Sequence, residues 1–245
     1  MLKHRFIFIS KNSEFKVGRE ETDKLKIEQP TFRFDYIADN RSALADVYNN
    51  ILNEDDDSDF IYLMHADISL NFIELAEHVE SLNGKYDVMG LCGCAKINVS
   101  QSPLNWFCGS RPFPADRWGC VTHGEIGNQT SFFSQHSPDV TDHEVACIDG
   151  LCIIFTRKAI SSGLRFDNKL GQFDFYDTDI SMQAVIKYGL KLGVVVRKEL
   201  VHYSIGKSIL TQDFLKNEIK FRNKWNFPPP PNTPIAGMMT QPERV

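Results

Sequence analysis

The sequence lacks the features that mark several classes of protein. No stretch of its 245 residues approaches the roughly 20 consecutive apolar residues that a membrane-spanning helix needs. Its net charge of -5 disfavours nucleic acid as a main partner, because phosphate binding needs a basic face, although a locally basic groove is compatible with this charge. The first apolar run, at residues 6–9, is too short for a signal peptide. We therefore expect a cytoplasmic protein that does not bind nucleic acid.

Cysteine pairs at the C-x2-C spacing of structural zinc sites are also absent. The chain has six cysteines, which we expect to be reduced in a cytoplasmic protein of this size. Three of them stand among apolar neighbours, where cysteine behaves as a small hydrophobic side chain. Packing is therefore the favoured role, and the weaker alternative is a zinc cluster of Cys92, Cys94, Cys108 and Cys120.

The apolar pattern that is present predicts one α/β domain. Short strands are predicted at residues 6–10, 31–38, 60–64, 86–91, 147–157 and 192–196. Helices are predicted after the second and third strands and at residues 181–188 and 211–225. Strands that alternate with helices imply a parallel sheet with right-handed crossovers. We expect a single domain over residues 1–227 and a mobile tail over residues 228–245, which begin with four prolines.

Residues 95–145 differ in character from the rest of the chain. They are polar and rich in glycine, proline, serine and histidine, with scattered aromatic side chains. A stretch of this length inside a compact domain is seldom an inert loop. We give equal weight to two interpretations, a lid or substrate wall and an irregular insertion that packs on the sheet.

The two ends of the strand at residues 60–64 carry different acidic groups. The conspicuous run at residues 54–59 precedes the strand, and we expect it to be a solvated turn. Asp67 follows the strand and so lies about 30 Å from the run at about 3.3 Å per residue. Ligands of open parallel sheets bind beyond the carboxyl ends of strands. Asp67 is therefore a candidate ligand for Mg²⁺ or Mn²⁺, with His202 after the last strand beside it, and a turn or capping role is the alternative.

Three further acids, Asp174, Asp177 and Asp179, stand at the start of a predicted helix. Carboxylates at this position interact favourably with the helix dipole, which is the structural interpretation. The functional interpretation is a general base that takes a proton from a hydroxyl group. Residues two apart on a helix point in different directions, so we expect one of Asp177 and Asp179 in a cleft and the other supporting it. Asp174 is assigned a capping role.

Three motifs occur in the order of a known family. FIYLMHADISL at residues 60–70 resembles the strand and metal-binding motif of nucleotide-sugar glycosyltransferases of the GT-A fold. CIDGLCIIFTRKAI at residues 147–160 and FDFYDTDISM at residues 173–182, with its following helix, strand and histidine, resemble two others. The chain is similar over about residues 5–207 to glycosyltransferase family 2 and its short bacterial members. The resemblance implies a Rossmann-like α/β sandwich of GT-A type, with a central, mostly parallel sheet between helices.

The resemblance also implies an activity and a site. A sugar would pass with inversion from a nucleoside-diphosphate sugar to a hydroxyl group of a glycan or lipid-linked glycan, in bacterial surface glycan synthesis. Asp67 and His202 would hold a divalent cation, Mn²⁺ or Mg²⁺. Asp39 matches a position that contacts the nucleobase, and Asp149 beside Gly150 matches a position that lines the sugar or acceptor site.

The catalytic positions depart from the family pattern in two places. His65 replaces the usual first acid of the metal motif, so the expected metal affinity is weak or the metal dispensable. Tyr176 stands where the family usually has glutamate before the base. The resemblance therefore assigns the base to Asp177, with Asp179 as the alternative.

Two other functions remain open. A nucleotidyltransferase usually has a glycine-rich phosphate loop near its N-terminus, but residues 9–19 contain one glycine. A sugar-nucleotide or carbohydrate-binding protein with a degenerate transferase site is favoured by His65. With a lipid-linked acceptor we expect peripheral contact with the inner face of the membrane through the helix in residues 211–227. Its cations are Lys216, Lys220, Arg222 and Lys224, and a plain solvated surface is the alternative.

Overall fold

A computed structural model describes most of the chain, namely residues 1–13, 19–97, 99–100, 116–125, 128–133, 142–171, 173–204 and 211–230. Its central sheet has seven strands in the spatial order β2-β1-β3-β11-β5-β12-β9. These strands are β1 (His4–Ile9), β2 (Phe32–Ile37), β3 (Phe60–His65), β5 (Val88–Gly90), β9 (Asp142–Glu144), β11 (Cys152–Thr156) and β12 (Leu192–Val195). Residues 231–245 of the predicted tail lie outside the described residues.

Five of the seven strands run in the same direction. Strands β2, β1 and β3 pair in parallel, as do β5 and β12, whereas β11 and β9 run the other way. The predicted strand at residues 147–157 is in fact broken. Its first part, β10 (Cys147–Ile148), belongs to a second sheet, and β11 enters the central sheet after a turn at residues 149–151. That break places Asp149 and Gly150 at the end of the central sheet where β3 ends, since Cys152 of β11 pairs with Met64 of β3.

The second sheet has the order β10-β6-β7-β13-β4, and a further strand, β8, pairs with β7. Its other strands are β4 (Ile68–Ser69), β6 (Cys92–Cys94), β7 (Arg117–Glu125), β8 (Asn128–Phe133) and β13 (Val201–His202). Strands β7 and β8 lie in the polar stretch at residues 95–145. The described part of that stretch is therefore largely regular sheet rather than an irregular insertion, and the rest of the stretch lies outside the described residues.

Helices cover both faces of the central sheet. They are α1 (Arg19–Glu28), α2 (Leu44–Leu52), α3 (Phe72–Ser81), α4 (Arg157–Ser161), α5 (Tyr176–Met182), which continues as a π-helical turn at Gln183–Lys187, and α6 (Gln212–Lys224). Strand β1 sends Ile7 and Ile9 to the layer that holds α2, α4 and α5, and Phe6 and Phe8 to the layer with α1 and α3. This is the two-residue alternation of a strand that is buried on both faces. Among the described helices, none is long and apolar enough to cross a membrane.

Helix α3 begins as its sequence predicts. Asn71 is its N-cap, and the Asn71 side chain accepts hydrogen bonds from the backbone amides of Ile73 and Glu74. Helix α1 was not predicted, because its mean hydropathy is low and, among its residues 22–28, Leu25 is the only apolar side chain that is buried.

The acidic run at residues 54–59 lies at the start of β3, at the opposite end from Asp67, as predicted. It is not, however, a plainly solvated turn. Arg5 of β1 is 3% exposed, and it pairs with Glu54 at 2.7 Å and with Asp56 at 3.3 Å. A buried guanidinium needs anionic partners to offset its loss of hydration. The run therefore neutralises Arg5 and takes no part in the site.

Candidate active site

A cluster of potential cation ligands lies at the carboxyl end of β3. His65 is the last residue of β3, Asp67 precedes β4, and His202 ends β13, which pairs with β4. One ligand atom from each of these residues lies within 4.8 Å of the other two. His202 Nε2 is 3.3 Å from Asp67 Oδ1. The structure thus brings together the two predicted ligands, Asp67 and His202, and adds His65.

The ionisation states suit a cation. Burial, with the charge of His202 nearby, lowers the pKa of His65 to about 4, so its ring is neutral and keeps a lone pair at neutral pH. Burial raises the pKa of Asp67, but the hydrogen bond with His202 and the charge of His202 outweigh this effect, and the net pKa is lowered. Two imidazoles and one carboxylate suit a divalent transition metal such as Mn²⁺ better than Mg²⁺, which prefers an all-oxygen set. The residues present fit such an ion.

An acidic cleft adjoins this cluster. Its carboxylates are Asp149, Asp174 and Asp177, and its aromatic walls come from Phe173, Phe175, Tyr176 and Phe214. His65 lines the same cleft. The cation-ligand cluster and the acidic cleft therefore share a side chain.

Asp177 is held by neutral donors. Its Oδ2 accepts a hydrogen bond from the Gly150 amide at 3.1 Å, and its Oδ1 accepts one from the Thr178 amide at 2.7 Å. Burial raises the pKa of Asp177, and these backbone hydrogen bonds offset part of the increase. Burial together with the charge of Asp177 raises the pKa of Asp149 to about 7. Asp149 accepts one backbone hydrogen bond, from the Leu151 amide at 2.7 Å, whereas Asp177 accepts two, so the backbone stabilises the negative charge of Asp177 more strongly.

Tyr176 connects the cleft with the ligand cluster. Its hydroxyl donates to the Gly150 carbonyl at 3.1 Å and lies 3.4 Å from His65 Nε2. The Tyr176 hydroxyl donates its hydrogen to the Gly150 carbonyl, so it can only accept a hydrogen bond from His65. The hydrogen of the neutral His65 ring is then on Nε2, which leaves the lone pair of Nδ1 for a cation. A Cβ at residue 150 would overlap this hydroxyl, so glycine is needed there. The tyrosine that replaces the usual glutamate thus positions His65.

Asp179 points away from the cleft. It is 0% exposed, and its carboxylate lies 2.7 Å from Lys224 Nζ, 2.9 Å from Trp225 Nε1 and 2.8 Å from Gln183 Nε2. The carboxylate of Asp179 holds the end of α6 in place. Its location therefore does not support the predicted catalytic role of Asp179. The expectation that Asp177 and Asp179 face different ways holds.

Two other predicted positions differ from expectation. Asp174 lines the cleft, whereas the N-cap of α5 is Phe175 in a left-handed conformation with no capping side chain. The N-cap position therefore belongs to Phe175 and not to Asp174. Asp39 is exposed after β2, with φ of 50°, and does not line the acidic cleft among the described residues. Strand β1 separates β2 from β3, so Asp39 lies farther along the same edge of the sheet.

His123 was missed by the sequence analysis. It lies on β7, with its ring centre 5.1 Å from that of His202, and its Nδ1 donates to the Ser204 carbonyl at 3.1 Å. Burial lowers its pKa. The sequence signal was its place in a histidine-containing polar stretch, but no strand was predicted there.

The structure differs from the basic solvent-exposed face that was predicted for α6. Arg222 is 1% exposed and pairs with the buried Glu218 at 2.8 Å. Lys224 binds Asp167 at 2.6 Å as well as Asp179. Two of the four cations are therefore used inside the fold, while Lys216 and Lys220 are exposed, and the membrane contact stays a prediction.

Comparisons with known proteins give one family and several solved structures. The model of a family described as "Glycosyltransferase like family" matches residues 6–224. No curated protein matches the chain. A197 from STIV is 12% identical, with a TM-score of 0.44 over 84% of this chain and 87% of that chain.

Two further structures are longer than this chain. GalNAc-T7 with UDP, GalNAc and Mn²⁺ is 10% identical, with a TM-score of 0.48 over 91% of this chain and 48% of that chain. TarS 1-349 of S. aureus is 10% identical, with a TM-score of 0.44 over 88% of this chain and 63% of that chain. This chain therefore spans less than two thirds of either structure.

The family match covers nearly all of the described strands and helices, as well as the three motifs on which the resemblance was based. The large central sheet between helices confirms the predicted α/β class of GT-A type. The protein therefore belongs to the glycosyltransferase-like family.

Proposed function

We propose that this protein is an inverting glycosyltransferase that moves a sugar from a nucleoside-diphosphate sugar to a hydroxyl group. The observation that carries the proposal is the double role of His65, which lines the acidic cleft and also lies with Asp67 and His202. A site for the diphosphate and its counter-ion would thus adjoin a carboxylate able to act as a base. A single displacement needs these two functions on opposite sides of the transferred sugar.

Asp177 is the proposed base. It lines the cleft, and its charge is held by the amides of Gly150 and Thr178 rather than by a cation. In the reaction its carboxylate takes the proton of the acceptor hydroxyl as the oxygen attacks the anomeric carbon. Asp149, with a pKa raised to about 7, is protonated for part of the time at neutral pH and then donates a hydrogen bond to a sugar oxygen.

His65, Asp67 and His202 would hold a divalent cation, with Mn²⁺ favoured over Mg²⁺. When bound, such an ion supplies charge neutralisation for the diphosphate that leaves. The sequence led us to expect that His65 weakens metal binding. We now propose that His65 is itself a ligand, because it lies within the ligand cluster. Its neutral ring would act as a ligand in place of the usual carboxylate.

The remaining assignments follow the family pattern. We propose that Asp149 and Gly150 line the subsite of the transferred sugar or the acceptor, and that Asp39 contacts the nucleobase. The acceptor proposed is a glycan or lipid-linked glycan in bacterial surface glycan synthesis. The aromatic walls of the cleft, Phe173 and Phe214 among them, suit the apolar faces of a pyranose.

A panel of nucleoside-diphosphate sugars tests this function. In a thermal-shift screen with and without Mn²⁺, the true donor should raise the melting temperature, because a ligand of the folded state stabilises it by mass action. That donor should then release free nucleotide slowly in water, and NMR should show the released sugar with inverted anomeric configuration. Retained configuration would contradict the proposed displacement. Binding without any release of nucleotide would favour a sugar-nucleotide-binding protein instead.

A further inference from the structure

We propose that His123 is a fourth donor to the cation site formed by His65, Asp67 and His202. This inference rests on the proposed function, since it presupposes that the cluster binds a divalent cation. It goes beyond that function because it takes a ligand from β7, which lies in none of the three family motifs.

The sheet brings His123 to the site. Strands β7 and β13 pair in parallel, and His123 and His202 are direct partners in their register. Residues that face each other on neighbouring strands project to the same side of a sheet. Both imidazoles therefore stand on one face, at the end of β13 where Asp67 is also found.

The ring separations suit a shared ion. A ring nitrogen bonded at about 2.1 Å puts its ring centre about 3.2 Å from the ion, so two such rings lie about 4.5 Å apart at a right angle and about 6.4 Å apart when opposite. The ring centres of His123 and His202 are 5.1 Å apart, and those of His65 and His202 are 5.7 Å apart. Both separations fall within this range.

The hydrogen bond of His123 sets the nitrogen that would coordinate. Its Nδ1 lies 3.1 Å from the Ser204 carbonyl, which can only accept, so Nδ1 carries the hydrogen. In the neutral ring the lone pair is then on Nε2. Histidine ligands of metals commonly donate their other ring N–H to a backbone carbonyl in this way, which fixes the tautomer.

His123 stands beside the cluster rather than inside it, since the three mutually close ligand atoms come from His65, Asp67 and His202. We infer that its side chain moves onto the ion when the ion binds. Four protein donors would leave about two positions of an octahedral ion for diphosphate oxygens. A site of this kind would bind the ion before the donor sugar arrives, whereas a site with fewer ligands depends on the diphosphate.

Mn²⁺ binding to the intact protein, without any nucleotide, tests the proposal. EPR titration gives the affinity, and pulsed EPR of the bound ion counts the coordinated imidazole nitrogens. We expect three imidazoles in the wild type and two in His123→Ala, with Mn²⁺ affinity reduced by about 10-fold or more. His123→Asn retains a donor for the Ser204 carbonyl but lacks the Nε2 lone pair, and it should lose the imidazole and the affinity equally. His78→Gln, a half-buried histidine on α3 outside the cluster, should match the wild type.

The outcomes separate the two proposals. If the wild type shows two imidazoles and His123→Asn binds Mn²⁺ normally, His123 is no ligand and the inference is overturned, while the cation site stands. If Mn²⁺ does not bind the wild type, or binds without any imidazole nitrogen, the cation site itself fails and the inference fails with it. Restoration of affinity in His123→Gly by added free imidazole would support coordination over a purely structural role.

Discussion

Asp177 and Asp179 stand two residues apart in one motif, and the fold uses them differently. Both are buried carboxylates whose pKa burial raises. Asp177 lines the cleft and is held by backbone amides, whereas Asp179 is enclosed by Lys224 and Trp225. A buried carboxylate that is paired with a cation is a structural anchor, while one held only by neutral donors retains basicity for an incoming proton. The hydrogen-bond and ion-pair partners of Asp177 and Asp179, more than their burial, distinguish the proposed base from the structural anchor.

Paired substitutions at these two positions should give the largest difference. Asp177→Asn removes the proposed base and should lower turnover by roughly 10²–10⁴-fold with donor affinity kept, since that is the usual contribution of a general base. Asp179→Asn should lower stability but leave the turnover of the folded fraction within about 10-fold. Steady-state kinetics on the donor identified by thermal shift, with circular dichroism to quantify folded protein, would measure both. The reverse pattern would exchange the two assignments.

The anchor can be tested without touching either aspartate. Lys224→Met removes the cation from the fully buried Asp179 carboxylate, and the free energy of unfolding should fall by about 3 kcal/mol, because an unpaired buried charge is costly. Lys216→Met is the matched control, as Lys216 is exposed on the same helix and its nearest acid, Asp213, is 3.9 Å away. Urea denaturation of both variants measures the difference. Equal stability of the two variants would show that Lys224 is no anchor.

A smaller effect should come from the third acid, Asp149. Its pKa is about 7 in the folded protein against about 3.9 when unfolded, so the folded state binds its proton more tightly. Its contribution to stability is therefore complete below about pH 4 and is lost as the pH rises towards 7. Asp149→Asn should flatten the stability profile between these values, because the variant has no carboxyl group to titrate there. Urea midpoints across this pH range, in chelator, would show it, and parallel profiles for the two proteins would contradict the raised pKa.

The fold class was predictable because its strands are strongly apolar. Tyr62 and Leu63 of β3 are 0% exposed, and such runs stand out in the sequence. The break between Ile148 and Cys152 was not predictable from hydrophobicity, because both sides are buried apolar strands and only their sheet membership differs. Helix α1 was missed for the opposite reason, since little of it is apolar.

The residues of the candidate site were predictable where they lie at the end of a strand or the start of a helix. Asp67 follows a strand, His202 ends one and Asp177 lies in the first turn of a helix, and strand ends converge by topology. His123 depends on pairing between β7 and β13, whose register partners are 79 residues apart in number, and no local pattern reports such a pairing. The inward direction of Lys224 was likewise hidden, because its partners Asp167 and Asp179 come from other parts of the chain. Arg222 pairs with Glu218 four residues earlier on the same helix, so a local pattern could have indicated that contact.

In the proposed function, a cation site and a base share one cleft through His65. A crystal structure with Mn²⁺ and the nucleoside diphosphate that gives the largest thermal shift tests it most directly. We predict one anomalous peak bonded to His65, Asp67 and His202, with the diphosphate on the ion and the Asp177 carboxylate facing the open end of the cleft. A peak at the acidic run of residues 54–59, or a nucleotide bound away from His65, would contradict the claim.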